Sequence, residues 1–310
     1  MQFRDLAGAV TGLALLAVAA PALAGDGPFG LNLAGSFGEG GFDRSRYTPP
    51  VTHFILNESP FITTELRPIY VHQNIPESFV TDGGQVNAVA LQGRVALTDR
   101  LAIIATTDGW ADVQFDSVLP DTDGFLDIAA GLKYAIVSDP AAGNIVSLGL
   151  RYTAPIGDIE TAGIDLTGRG DGYLNPFISA AKTWEKVQLQ GSLGAQIALS
   201  DANWSYAHMS VHANYEIVAG VFPFIEANAL IPFDGGGEFA KNTPVLSRLT
   251  GADILDIGAP DPDEIVTLAA GARFRLTDHV VLGAAFEGNV AEQKNSVFDW
   301  RVTTDLVAHF

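Results

Sequence analysis

The 310-residue chain contains no cysteine. Disulfides, thiol nucleophiles and thiolate metal sites are therefore excluded. Basic residues are scarce as well: 17 Lys and Arg face 36 Asp and Glu, a formal net charge of -19. Such a charge opposes binding to nucleic acid or to an anionic membrane face, since both are polyanionic. Charged residues of either sign make up only 17% of the chain, while the apolar fraction is 47%. An acidic disordered chain would be poor in apolar residues, so this composition demands an ordered architecture. Long hydrophobic runs are also missing. Past residue 24 no stretch is long and apolar enough to span a bilayer as a helix. That excludes a helical membrane protein. It leaves a transmembrane barrel open, because alternating strands give a weak hydropathy signal.

What is present begins with an address. Residues 1–24 read as a secretory signal peptide, with Arg4 and Asp5 in the n-region and small or apolar residues from Ala7 to Ala20. Ala22-Leu23-Ala24 supplies a cleavage site with small residues where they are required. Residues 25–60, rich in Gly, Pro and Asn, are expected to form an irregular N-terminal segment and are a candidate plug. Residues 61–310 carry the remaining signal.

Over 61–310, strand-length segments recur between turn residues. The pattern predicts twelve strands, near 62–74, 85–97, 101–110, 125–137, 144–155, 173–183, 186–199, 204–215, 219–231, 264–276, 279–290 and 298–310, with ten or fourteen as the alternatives. Their length exceeds that of ordinary soluble strands and suits an oblique membrane crossing. Alternation is clearest late in the chain. In 186–199, Val187, Leu189, Leu193, Ala195, Ile197 and Leu199 oppose Lys186, Gln188, Gln190, Ser192 and Gln196. In 298–310, Phe298, Trp300, Val302, Thr304, Leu306, Ala308 and Phe310 share one face, against Asp299, Arg301, Thr303, Asp305, Val307 and His309. Period two over this length is a strand signal. Loop lengths point the same way. Tight connections at 97–100, 138–143, 183–186, 216–218 and 276–279 alternate with connections that include the long 111–124, 156–172 and 232–263. Short turns on one side and long loops on the other describe a transmembrane antiparallel up-and-down β-barrel of the bacterial outer membrane. A soluble all-β sandwich or propeller is the competing reading; it would use shorter strands and a polar outward face. Trp184, Trp204, Trp300, Tyr134, Tyr152 and Phe274 are expected at the membrane interfaces.

The amphipathic last strand ending in Phe310 resembles Gram-negative outer-membrane barrels, in which a terminal aromatic is the signal to the barrel assembly machinery. The segment from Asn57 to Pro68, Leu97-Thr98-Asp99-Arg100-Leu101 and Gly131-Leu132-Lys133-Tyr134 resemble the MetA-pathway-of-phenol-degradation-like outer-membrane family. That resemblance implies a channel for small compounds, hydrophobic or aromatic ones included. The expected partners are outer-membrane lipids, the assembly machinery and a small-molecule solute, with no nucleic acid. No cofactor is expected.

A passive channel needs a polar lumen. Candidate lumen and selectivity residues are Glu65, Arg67, Arg94, Lys133, Arg151, His208, His212, Glu226, Arg273, Arg275, Glu287 and Arg301, with Asp127, Lys186, Gln188, Gln190, Asn228 and Asp305 beside them. The alternative is that these charges form paired networks filling the interior. Acidic residues in the long loops, such as Asp112, Asp116, Asp121, Asp123, Asp165, Asp171, Asp261 and Asp263, read as a solvated rim; bridging to lipopolysaccharide through divalent cations is the other reading. A structural or adhesive barrel without transport is the second functional class. A lipid-modifying hydrolase is the third. His208 and Ser210 share a strand face, but no orienting Asn or Asp can be assigned and no nucleophile elbow is present, so no catalytic residue is named. His208 and His212 stand about 13 Å apart along a strand, too far to share one metal ion. Loop 232–263 can fold inward as a constriction or outward for contact.

Overall fold

The structure is a computed structural model describing residues 48–139, 142–237, 249–251, 254–257, 259–291 and 295–310. The expected signal at 1–24, residues 25–47 of the N-terminal segment, and part of loop 232–263 lie outside the described residues.

Strand β1 (Glu65–Ile75) and β2 (Gly84–Ala96) form the first hairpin. β3 (Leu101–Thr107) and β4 (Gly109–Phe115) continue as one stave interrupted at Asp108, and both pair with β2. β5 (Thr122–Phe125) returns beside β4, and β6 (Ile128–Asp139) beside β3. β7 (Asn144–Ala154) follows, then a short ribbon of β8 (Glu160–Thr161) and β9 (Ile164–Asp165). β10 (Tyr173–Trp184), β11 (Val187–Ala198), β12 (Ser205–Tyr215), β13 (Val221–Asp234), β14 (Ile265–Arg275), β15 (Val280–Asn289) and β16 (Trp300–His309) complete the wall. β16 pairs back onto β1, Glu65 opposite His309 and Asn74 opposite Trp300. The result is a closed 12-stranded antiparallel β-barrel.

Alternation decides which face each side chain takes. Along β11, Val187, Leu189 and Leu193 are exposed, while Gln188, Gln190 and Ser192 are buried. The exposed set continues through Leu132, Leu150, Val211, Ile225, Leu268 and Phe286, an outward apolar belt that only hydrocarbon can solvate without penalty. Glycine on the inward face makes room for neighbouring rings: a Cβ at Gly149 would lie 2.1 Å from the Phe177 ring, and one at Gly194 would lie 2.4 Å from His208 Nε2.

Three expectations need correction. Residues 111–124 are not one loop: β4 and β5 carry the wall upward, with Asp112, Gln114 and Asp123 on its outer side, above the apolar belt. Trp204 is not an interface residue. It is 1% exposed, its ring lies 4.4 Å from that of Tyr206, and its Nε1–H donates to Asp256 Oδ1 at 2.9 Å. A tryptophan just before a strand reads the same in sequence whether it turns to lipid or to lumen. Lys186 is exposed in the turn after β10 rather than in the lumen.

Leu193, 53% exposed on β11, tests the belt. Leu193→Arg should destabilise the barrel folded into lipid vesicles by about 2–4 kcal/mol, read from denaturant unfolding. An unchanged midpoint would mean that this surface does not meet hydrocarbon.

Candidate functional site

The lumen is built from inward-facing positions and is layered. Along it lie six buried cations, from Arg67, Arg94 and Arg273 toward the short turns, through Lys133, to Arg151 and Arg301 toward the long-loop ends of their strands. Five buried anions, Glu58, Glu65, Glu226, Glu287 and Asp305, accompany them. Among the described residues this interior charge nearly cancels, so the -19 of the chain arises elsewhere. Toward the extracellular end an apolar cluster joins these charges: Ile69, Val71 and Ile75 from β1, Val86 and Ala88 from β2, and Leu230 and Ile265 from β13 and β14, with the polar Gln73 and Asn87 also buried on β1 and β2.

Residues 48–60 rise inside this lumen and return. The segment donates nothing to the β-ladder, yet almost every residue in it is buried. Its chain reverses at residues 53–57, where Leu56 N–H and Asn57 N–H both donate to His53 C=O at 2.8 Å. His53 adopts a left-handed φ of 46° there, unusual for a residue with a side chain. Its ring lies 3.0 Å from Glu287. The apex residues Phe54, Ile55 and Leu56 join the apolar layer.

The predicted lumen charges hold this segment. Glu226 accepts the amides of Val51 and Thr52, each at 2.8 Å, and also pairs with His212 at 2.7 Å. Arg67 donates to Pro50 C=O at 2.8 Å, Arg273 to the same carbonyl at 3.0 Å, and both guanidinium groups pair with Asp305. Arg151 donates to the carbonyls of Ile55 and Leu56 and to Asn175, whose Nδ2 lies 2.8 Å from His208. Glu58 takes two hydrogen bonds from Arg94, at 2.9 and 2.6 Å, and one from Lys133 at 2.7 Å. Glu65 accepts from Arg94 at 3.0 Å. Arg301 donates to Glu287 at 2.6 Å. Arg275 stands apart, half-buried, its guanidinium 5.0 Å from the Phe222 ring centre. Eleven of the twelve predicted residues therefore line one buried interior, and Arg275 sits at its margin. His208 bonds Asn175, not Ser210.

Glu58 was missed as a site residue, although it sits among the residues that carry the family resemblance. Nothing in its local pattern distinguishes it from a solvated loop carboxylate. Loop residues missed by the same reasoning close the extracellular end. Leu249, Ile254, Leu255 and Ile257, from the described part of 232–263, are buried in the apolar layer with Ile159 and Leu166. Asp256 N–H donates to Leu166 C=O at 2.9 Å. The described part of that loop thus folds inward.

No family model matches the chain, and no curated protein does. Among solved structures, the COG4313 outer membrane channel from Pseudomonas putida F1 is 17% identical with a TM-score of 0.55, covering 85% of this chain and all of that one. The chain has the fold of an outer-membrane channel. The NanC porin is 7% identical with a TM-score of 0.49, over 80% of this chain and 99% of that one. The outer membrane phospholipase A from Escherichia coli is 10% identical with a TM-score of 0.40, over 84% and 99%. A closed barrel with an apolar outer belt places the protein in the outer membrane.

Removing Glu58 takes two hydrogen bonds from Arg94 and the paired carboxylate from Lys133. Glu58→Ala should cost about 3–5 kcal/mol, the range for breaking a buried ion pair from one side. Limited proteolysis of the folded barrel should then cut within 48–60, while Asp123→Ala, on the exposed rim, should leave both readouts unchanged.

Proposed function

We propose that the chain is a passive outer-membrane channel closed from within by residues 48–60. The observation that carries this reading is that the segment fills the lumen without joining the ladder. It can leave without opening a single strand pair. A wall of twelve strands encloses more space than its own side chains fill, so withdrawal leaves a water-accessible, charge-lined bore. The paired lumen charges become its selectivity surface once they lose the carbonyls and amides of the segment. The solute is small. The apolar extracellular layer supports hydrophobic or aromatic compounds as part of its range, in line with the family resemblance of 57–68, 97–101 and 131–134. Phe310, at the end of β16, is the contact for the barrel assembly machinery in this reading.

A static barrel is the second reading, favoured by how completely the segment is bonded. Planar-bilayer recordings separate the two. The intact protein should show small or infrequent openings, and deletion of 48–60 should raise conductance several-fold. Silence from both proteins would overturn the channel. Equal conductance would overturn the segment as its closure.

A further inference from the structure

Above the apex of the segment, beside Ile55, lies a cavity of about 50 Å³, measured as the space open to the centre of a water molecule. Asp127, Asp256, Trp204, Tyr206, Tyr173 and Thr107 are among its lining residues. Asp127 sits between β5 and β6, above the apolar belt. Its Oδ1 accepts the amides of Gly157 at 2.9 Å and Gly168 at 2.8 Å. Burial raises its carboxyl above the usual range, and no cationic side chain among the described residues offsets this. Tyr173 and Thr107 are 4% and 5% exposed, and neither hydroxyl has a hydrogen-bond partner among the described residues. Asp256 orients the Trp204 indole through its Nε1–H, and Trp204 and Tyr206 present a tilted aromatic pair.

A buried carboxylate held by backbone amides, two buried hydroxyls without a described partner and an aromatic wall share one ligand chemistry. An anion is opposed by Asp127 and Asp256. A neutral alcohol can satisfy the hydroxyls but brings Asp127 no cationic partner. An ammonium group donates to the carboxylate and to both hydroxyl oxygens, while its alkyl end packs on the ring faces. At about 10–15 Å³ per water, the space takes roughly three to five water-sized groups. We propose that this cavity is a binding site for a small organic cation of the primary alkylammonium class. The acidic rim would raise the local concentration of such cations. Ile55, at the apex of the inserted segment, is among its lining residues, so the site belongs to the form in which that segment is seated.

The test is a saturation-transfer NMR titration of the full folded chain in nanodiscs. Ethylammonium chloride is compared with ethanol, a neutral molecule of nearly the same shape. Ethylammonium should saturate, and ethanol should bind at least about tenfold more weakly, a difference of 1.4 kcal/mol. Asp127→Asn keeps the acceptor for Gly157 and Gly168 but removes the charge, and should weaken ethylammonium binding by a similar factor. Asp123→Asn, on the exposed face of β5, should not. Should Asp127→Asn fail to fold, Tyr173→Phe takes its place and should weaken binding several-fold. No saturation by ethylammonium, equal binding of ethanol, or wild-type binding by the folded variant would each show a water-filled void only. Because binding is read without conductance, its failure is distinct from failure of the channel reading.

Discussion

The whole structure depends on one constraint: in hydrocarbon no backbone N–H or C=O can stay unpaired. The pairing of β1 with β16 meets it by removing the two edges that a twelve-strand sheet would otherwise expose. Closure also fixes the circumference. A small barrel can fill its interior with its own side chains, whereas a wider one leaves room for water or for a guest. Here the guest comes from the same chain. The apolar outer belt and the occupied interior are thus two consequences of one hydrogen-bonding requirement.

The guest explains the buried charges. Residues 48–60 are irregular, so their carbonyls and amides lack ladder partners and must find others. Guanidinium groups suit the carbonyls of Pro49, Pro50 and Ile55, and a carboxylate suits the amides of Val51 and Thr52. Each such ion, taken out of water, then needs a counter-ion. Asp305 between Arg67 and Arg273, and Glu58 between Arg94 and Lys133, meet that need. The near-neutral interior follows, and the negative charge of the chain is left to its surface and loops. Residues that read in sequence as a selectivity lining are, in the closed form, the bonds of an internal ligand.

The barrel was legible because lipid and lumen impose opposite polarity on alternate residues over most strands. β11, with exposed Leu189 and Leu193 against buried Gln188 and Gln190, shows this in full. Legibility fails where that contrast inverts. On the upper part of β1 the inward residues are Ile69, Val71, Gln73 and Ile75, three of them apolar, and the outward ones are Tyr70, His72 and Asn74. Above the belt the outer face meets water, while the inner face meets the apex of the segment and the infolded loops. A reader assuming one rule for the whole strand sees weak alternation there. Trp204 and the β4–β5 extension escaped for the same reason. The partners that decide them, Asp256 and residues 157–168, are distant in sequence. Eleven of the twelve named lumen positions follow strand parity into the buried interior, Arg275 excepted, but no parity argument reveals that the chain itself occupies the lumen.

The inversion also divides the energetics of the interior. The lumen charges can exchange the segment for water, so their release trades one set of hydrogen bonds for another at small net cost. The apolar cluster around the apex has no such exchange. Phe54 and Leu56 each gain roughly 1.5–3 kcal/mol from burial against the apolar layer and lose it on leaving. In a gated barrel the apex therefore sets the stability of the closed state, and the charged stem sets how the segment is guided back. The same apolar cluster that weakens the alternation of β1 in the sequence is the surface from which the apex would have to part.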